Sequence, residues 1–93
     1  MTVTFWIPGS LTLMTGGRSP VDIEVSDGTL RTALKALFAA FPAIRDRVLT
    51  EQGEIREHVN VFVGNAAARS TGGLATPVEN GVEILIVPAI SGG

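Results

Sequence analysis

The residues best placed to do chemistry stand at the end of the sequence. Gly92-Gly93 follow the apolar run Val82-Glu83-Ile84-Leu85-Ile86-Val87-Pro88 after only three intervening residues, Ala89, Ile90 and Ser91. A carboxylate carried on two residues without side chains is a chemical handle. It threads into a narrow cleft, because glycine lets another backbone approach closely and adopts dihedrals closed to other residues. The bland alternative is a frayed terminus. A diglycine directly behind an apolar strand, on a chain of 93 residues, favours the handle.

No other group of residues makes a comparable case. His58 has Glu57 beside it, but neighbouring strand residues point to opposite faces, so the two do not form a proton-transfer pair. Asp22 and Glu24 share a strand face without a companion nucleophile or metal ligand, and read as a solvated face. Thr15-Gly16-Gly17 and Gly72-Gly73 lack the spacing of a phosphate loop and are explained by turn chemistry. No catalytic constellation emerges, and the expectation is a protein that is not itself an enzyme.

Composition narrows the classes further. The chain has no cysteine and one histidine, which removes disulfides, thiolate metal sites and multi-histidine sites. Its seven basic residues are scattered and its net charge is −2, so the basic stripe that nucleic acid requires is missing. No basic-then-apolar leader opens the sequence, and no apolar run approaches the roughly 20 residues of a membrane span. The expectation is a soluble, cytoplasmic, single-domain protein that binds neither nucleic acid nor membrane.

The elements that must position the handle are legible from periodicity. Residues 1–8 alternate, with Val3, Phe5 and Ile7 on one face and Thr4 and Trp6 on the other. Residues 20–25 alternate more cleanly, with Val21, Ile23 and Val25 opposite Asp22 and Glu24. The connection over residues 11–18 carries the turn Thr15-Gly16-Gly17, which predicts an antiparallel hairpin. Ser26-Asp27-Gly28-Thr29 opens a helix, with Thr29 or Asp27 as N-cap. Leu30, Ala33, Leu34, Leu37, Phe38 and Phe41 form its apolar stripe, and Pro42 ends it.

Residues 43–49 suggest a short second helix, and residues 50–57 a polar connection turning at Gly53. A third strand spans residues 58–63 and ends at Gly64-Asn65. Residues 66–75 read as irregular or as a short strand. Asn80-Gly81 is a turn before the last strand, residues 82–87. One amphipathic helix and four or five strands imply an α+β domain, a mixed sheet with one main helix packed across one face. The first and last strands are expected side by side and parallel. Ile84 and Ile86 then face the helix, and Trp6, Leu85 and Val87 form an apolar patch on the far side, a surface for partners unless residues 11–18 or 66–75 cover it.

At this point the order β-β-α-β-β and the end Val87-Pro88-Ala89-Ile90-Ser91-Gly92-Gly93 resemble the ubiquitin-like sulfur carriers of the MoaD and ThiS kind, over essentially the whole chain. Ile7-Pro8 with Thr15-Gly16-Gly17, His58-Val59-Asn60-Val61-Phe62-Val63 and Gly72-Gly73-Leu74-Ala75-Thr76 resemble the CysO branch. The resemblance implies the β-grasp (ubiquitin-like) fold over residues 1–88 and an extended flexible tail over residues 89–93. It implies that the Gly93 carboxylate is adenylated with ATP by an E1-like adenylyltransferase of the MoeB/ThiF type and then converted to a thiocarboxylate. No cofactor is bound by the carrier itself; ATP is used by the activating partner. The further partners implied are a sulfur-acceptor enzyme such as a cysteine synthase and a JAMM-type metalloprotease.

Adenylation gives a poor electrophile a good leaving group, and requires the carboxylate to reach deep into a nucleotide site. Gly92 and Gly93 supply that reach, Ser91 and Ile90 guide the arm, and Trp6, Leu85 and Val87 dock the partners. Pro88 lacks the N–H that a sheet ladder needs, so it is expected to stop the sheet and release the arm. Three alternatives stay open: a ubiquitin-like modifier joined through Gly93 to target lysines, a carrier for molybdopterin, thiazole or thiosugar synthesis, and a binding module whose tail is incidental.

Overall fold

The structure, a computed structural model, describes residues 1–26 and 28–88. Alternating side chains build its first two strands. β1 (Thr2–Trp6) buries Val3 and Phe5, and β2 (Val21–Glu24) buries Val21 and Ile23. They pair antiparallel with Val3 opposite Ile23, the predicted hairpin. The connection is more ordered than expected. Gly9–Thr15 forms a 3-10 helix that turns Leu11 into the core and ends at Gly16, whose φ of 66° is the left-handed conformation glycine tolerates. Buried Thr15 fixes this corner, donating from Oγ1 to the carbonyls of Thr12 (3.1 Å) and Arg18 (2.7 Å).

The main helix, α1 (Leu30–Ala40), starts at Thr29, whose side-chain oxygen accepts from the Thr32 N–H at 3.3 Å. Of the two candidate caps, Thr29 fills the position. Leu30, Ala33, Leu34 and Leu37 are buried, while Arg31, Lys35 and Ala39 face solvent, as the stripe requires. The helix stops before Pro42, which opens a 3-10 turn (Pro42–Ile44) running into α2 (Arg45–Val48). The expected short second helix is therefore a 3-10 turn and one turn of α-helix in series.

β3 (Val59–Val63) follows, then a tight reversal into the two-residue β4 (Ala66–Ala67). Two 3-10 turns, Ala68–Ser70 and Gly73–Ala75, complete the segment that the sequence leaves irregular. The Asn80-Gly81 turn is tied to the start of β1: the Thr2 N–H donates to Asn80 Oδ1 at 2.8 Å, and the Gly81 N–H to the Thr2 carbonyl at 2.7 Å.

The last strand, β5 (Glu83–Pro88), lies at the centre of a five-stranded sheet ordered β2-β1-β5-β3-β4. It runs parallel to β1, with Phe5 opposite Ile84 and Trp6 opposite Leu85, and antiparallel to β3, with Val61 opposite Ile86. α1 lies against the inner face, on a core that includes Phe5, Leu34, Leu37, Ile84 and Ile86. This is the mixed sheet and single main helix of the β-grasp architecture.

One expectation needs correction. Pro88 does not stop the sheet ahead of itself; it is the last residue of β5 and pairs with Val59. Pairing to β1 has already ended at Leu85. Beyond that point β5 has a neighbour on the β3 side alone, and proline is tolerated where one side of a strand is unpaired.

Candidate functional site

The outer face of the sheet follows from register. Residues that alternate with the buried positions stand in rows across the strands. The first row holds Thr2 opposite Glu24, and the second Thr4 between Asp22 and Glu83. The third holds Trp6, Leu85 and Phe62, and the fourth Val87 opposite Asn60. Trp6 and Val87 keep 41% and 40% of their surface exposed, so neither the Gly9–Thr15 helix nor the 66–75 segment covers them.

Phe62 is the residue that sequence reasoning missed in this row. Val61 is buried and Val63 packs against the core, so Phe62 between them points to the outer face. The alternation carried that signal, but only the β3–β5 register places Phe62 against Leu85.

Polar contacts hold this face in order. Trp6 Nε1 donates to Glu83 Oε1 at 2.8 Å, which fixes the indole along the strand direction. The Thr4 hydroxyl donates to Asp22 Oδ1 at 2.7 Å, and the Thr2 hydroxyl to Glu24 Oε1. Asp22 and Glu24 are thus the solvated, threonine-bonded pair that the alternation suggests. His58 and Glu57 are both exposed at the entrance to β3.

The third and fourth rows lie at the end of the sheet where Pro88 stands opposite Val59. The tail residues Ile90, Ser91, Gly92 and Gly93 lie outside the described residues, as does Asp27. A separate cleft of about 430 Å³, lined among others by Arg31, Arg56, Val59, Val61 and Arg69, opens on the inner side of the sheet and shares nothing with the Trp6 row. Chemically, the outer face offers exposed apolar side chains beside hydrogen-bonded carboxylates. Among the described residues, no helix is long and apolar enough to cross a membrane.

The comparisons agree with this geometry. Residues 7–93 match the ThiS family. The sulfur carrier protein CysO of Mycobacterium tuberculosis is 35% identical over 95 aligned residues, spanning 100% of both chains. Small archaeal modifier protein 1 of Haloferax volcanii is 37% identical over 73 residues, 78% of each chain. Among solved structures, a chain of the Amycolatopsis orientalis BexX/CysO complex superposes with a TM-score of 0.87 at 31% identity, covering 98% of this chain and 99% of that one. These relatives are small carriers and modifiers rather than catalysts. The chain belongs to the ThiS family and is a ubiquitin-like sulfur carrier with the β-grasp fold.

Proposed function

We propose that this carrier holds sulfur as a thiocarboxylate on Gly93 and delivers it to the biosynthesis of cysteine or a related sulfur-containing metabolite. The observation that carries this reading is the whole-length similarity to CysO, with a family match that runs to residue 93 and so includes the diglycine. An E1-like adenylyltransferase binds the outer sheet face and receives the arm. The Gly93 carboxylate attacks the α-phosphorus of ATP, and pyrophosphate leaves. A sulfur donor at the oxidation level of sulfide then attacks the acyl carbon. The carbon–oxygen bond to AMP breaks, AMP departs, and a thiocarboxylate remains, a stronger nucleophile than the carboxylate. The thiocarboxylate sulfur bonds to the β-carbon of an activated serine on a cysteine synthase as the activating group leaves. The acyl group then moves from sulfur to the new cysteine's amine, and a metalloprotease hydrolyses that amide, releasing cysteine and restoring the Gly93 carboxylate.

In this mechanism residues 1–88 dock and residues 89–93 reach, with Gly92 and Gly93 entering the narrow site and Ile90 and Ser91 lining the approach. Trp6, Leu85 and Val87, joined by Phe62, are the contact surface, and the reactions belong to the cytoplasm. The superposition on a CysO chain from a complex with BexX supports a partner seated against such a carrier.

The test is the intact mass of the chain after incubation with ATP, a sulfide source and an E1-like enzyme known to activate its own carrier. Replacement of one oxygen by sulfur, lost when Gly93 is deleted, is the expected result. An unchanged mass with an active enzyme overturns the reading. The similarity to small archaeal modifier protein 1 favours a second reading, conjugation through Gly93 to protein lysines. It predicts adducts in lysate that survive thiol treatment and vanish on deletion of Gly93.

A further inference from the structure

The strands of this molecule carry charge of one sign only, whereas the helix side mixes both, with Glu54 and Glu57 beside Arg56 and Asp46 paired with Arg45. The charged residues within the five strands are Asp22, Glu24 and Glu83, all acidic and all on the outer face. None of the seven basic residues lies in a strand. Arg31 and Lys35 are on the exposed side of α1, Arg45 and Arg47 are on α2, and Arg56 and Arg69 line the inner-side cleft. The outer face is therefore acidic in two rows, apolar in the third and mixed in the fourth, where Val87 stands opposite Asn60. No strand contributes a cation, and Lys35 of α1 lines a hollow with Glu24 at the sheet edge.

The order of the rows gives the face a direction. Running along the strands, Glu24 comes first, then Asp22 and Glu83, then Trp6, Leu85 and Phe62, then Val87, and finally Pro88. Each residue advances the strand by about 3.3–3.4 Å, so the carboxylates lie roughly 17–23 Å from Pro88, with the third and fourth rows between. The Thr4 hydroxyl on Asp22 and the Thr2 hydroxyl on Glu24 hold two of these carboxylates in place.

Resting on the sulfur-carrier reading, we propose that the partner docking here presents an apolar pocket beside the mouth of its tail channel and a patch of arginine or lysine on the far side of that pocket, opposite Asp22, Glu24 and Glu83. The occupant is a basic protein surface. A second copy docked through the same face would set acidic rows against acidic rows, and an anionic membrane would be repelled in the same way. The far-end charges fix which way the carrier lies on the partner, so that the end bearing Pro88 meets the channel. Charge complementarity of this kind acts chiefly on the rate and orientation of encounter.

The experiment compares association kinetics of three purified chains with an E1-like enzyme that thiocarboxylates the wild type. The first is wild type, the second carries Asp22→Asn with Glu24→Gln, and the third carries Arg31→Gln with Arg47→Gln on the helix side, away from the hollow that Lys35 shares with Glu24. The amide of Asp22→Asn still accepts from Thr4, and circular dichroism confirms that all three fold. The acidic-face variant is expected to associate about tenfold more slowly at low salt and to lose most of its salt dependence. The helix-face variant is expected to match wild type. An unchanged rate in the acidic-face variant, or equal slowing in both variants, overturns the inference while sulfur transfer by the wild type leaves the carrier function standing. Failure of the wild type itself to be thiocarboxylated overturns the function, and the inference with it.

Discussion

Trp6 and Leu85 stand directly opposite one another where β1 and β5 run parallel, and Trp6 Nε1 reaches along β5 to donate to Glu83 Oε1 at 2.8 Å. An indole held at its polar end and still 41% exposed has little side-chain freedom left to lose if a partner covers it. Aromatic anchors of this sort carry a disproportionate share of binding energy.

Replacement of Trp6 by alanine is therefore expected to weaken binding to the activating enzyme by about 2 kcal/mol, roughly thirtyfold in Kd. Stability should change little, since Trp6 lies outside the core. Calorimetric titration beside a thermal melt separates the two effects. A large drop in melting temperature with unchanged affinity would assign Trp6 to the fold.

The same side chain reports on docking. It is the sole tryptophan of the chain, so its emission comes from the surface in question. Transfer of the ring from water to an apolar pocket is expected to shift that emission to the blue on titration with a tryptophan-free partner fragment. Deleting Gly92 and Gly93 should leave the shift in place, because Trp6 and its neighbour Leu85 belong to β1 and β5.

Extension of the chain by one residue past Gly93 is expected to abolish adenylation while leaving the fold and the Trp6 face intact. The measurement is pyrophosphate exchange with the activating enzyme, alongside circular dichroism. Full exchange by the extended chain would show that the free carboxylate of Gly93 is not the reacting group.

Inside the domain, Leu37→Ala should cost about 2–5 kcal/mol, because Leu37 is completely buried beneath α1 and its loss leaves a cavity. Thr29→Ala should cost about 1 kcal/mol, the usual loss when a capping oxygen is removed. Denaturant melts rank the two, and a Thr29→Ala penalty as large as that of Leu37→Ala would contradict the cap's local role.

Elements whose side chains obey a strong period were legible without coordinates. The strict alternation of residues 21–25 and the stripe from Leu30 to Leu37 each have one physical solution, and that solution is what forms. The Gly9–Thr15 helix was not legible. Its residues include three threonines and serines that suit turns as well as helices, and what orders them is burial of Leu11 and Thr15 against distant strands. β4 is two alanines, too short for any period, and exists because β3 offers an edge. Trp6, Leu85 and Val87 could be placed on one face by alternation alone. Phe62 could not be joined to them until the β3–β5 register was known. Pro88 shows the opposite limit: a rule about one residue's missing N–H gave way to the fact that β1 had already ended beside it.

The parallel pairing of β1 with β5 also decides how the carrier responds to being pulled. The chain enters at the start of β1 and continues beyond the end of β5, so tension between its two ends slides these strands past each other. Their bridging hydrogen bonds are loaded together, in shear, rather than opened one at a time as in a hairpin. β5 is moreover gripped from its other side by β3 over five paired residues. Tension applied beyond Pro88 falls on the strand of the sheet with the most paired residues, and the force is spread across the sheet before any of it can unravel.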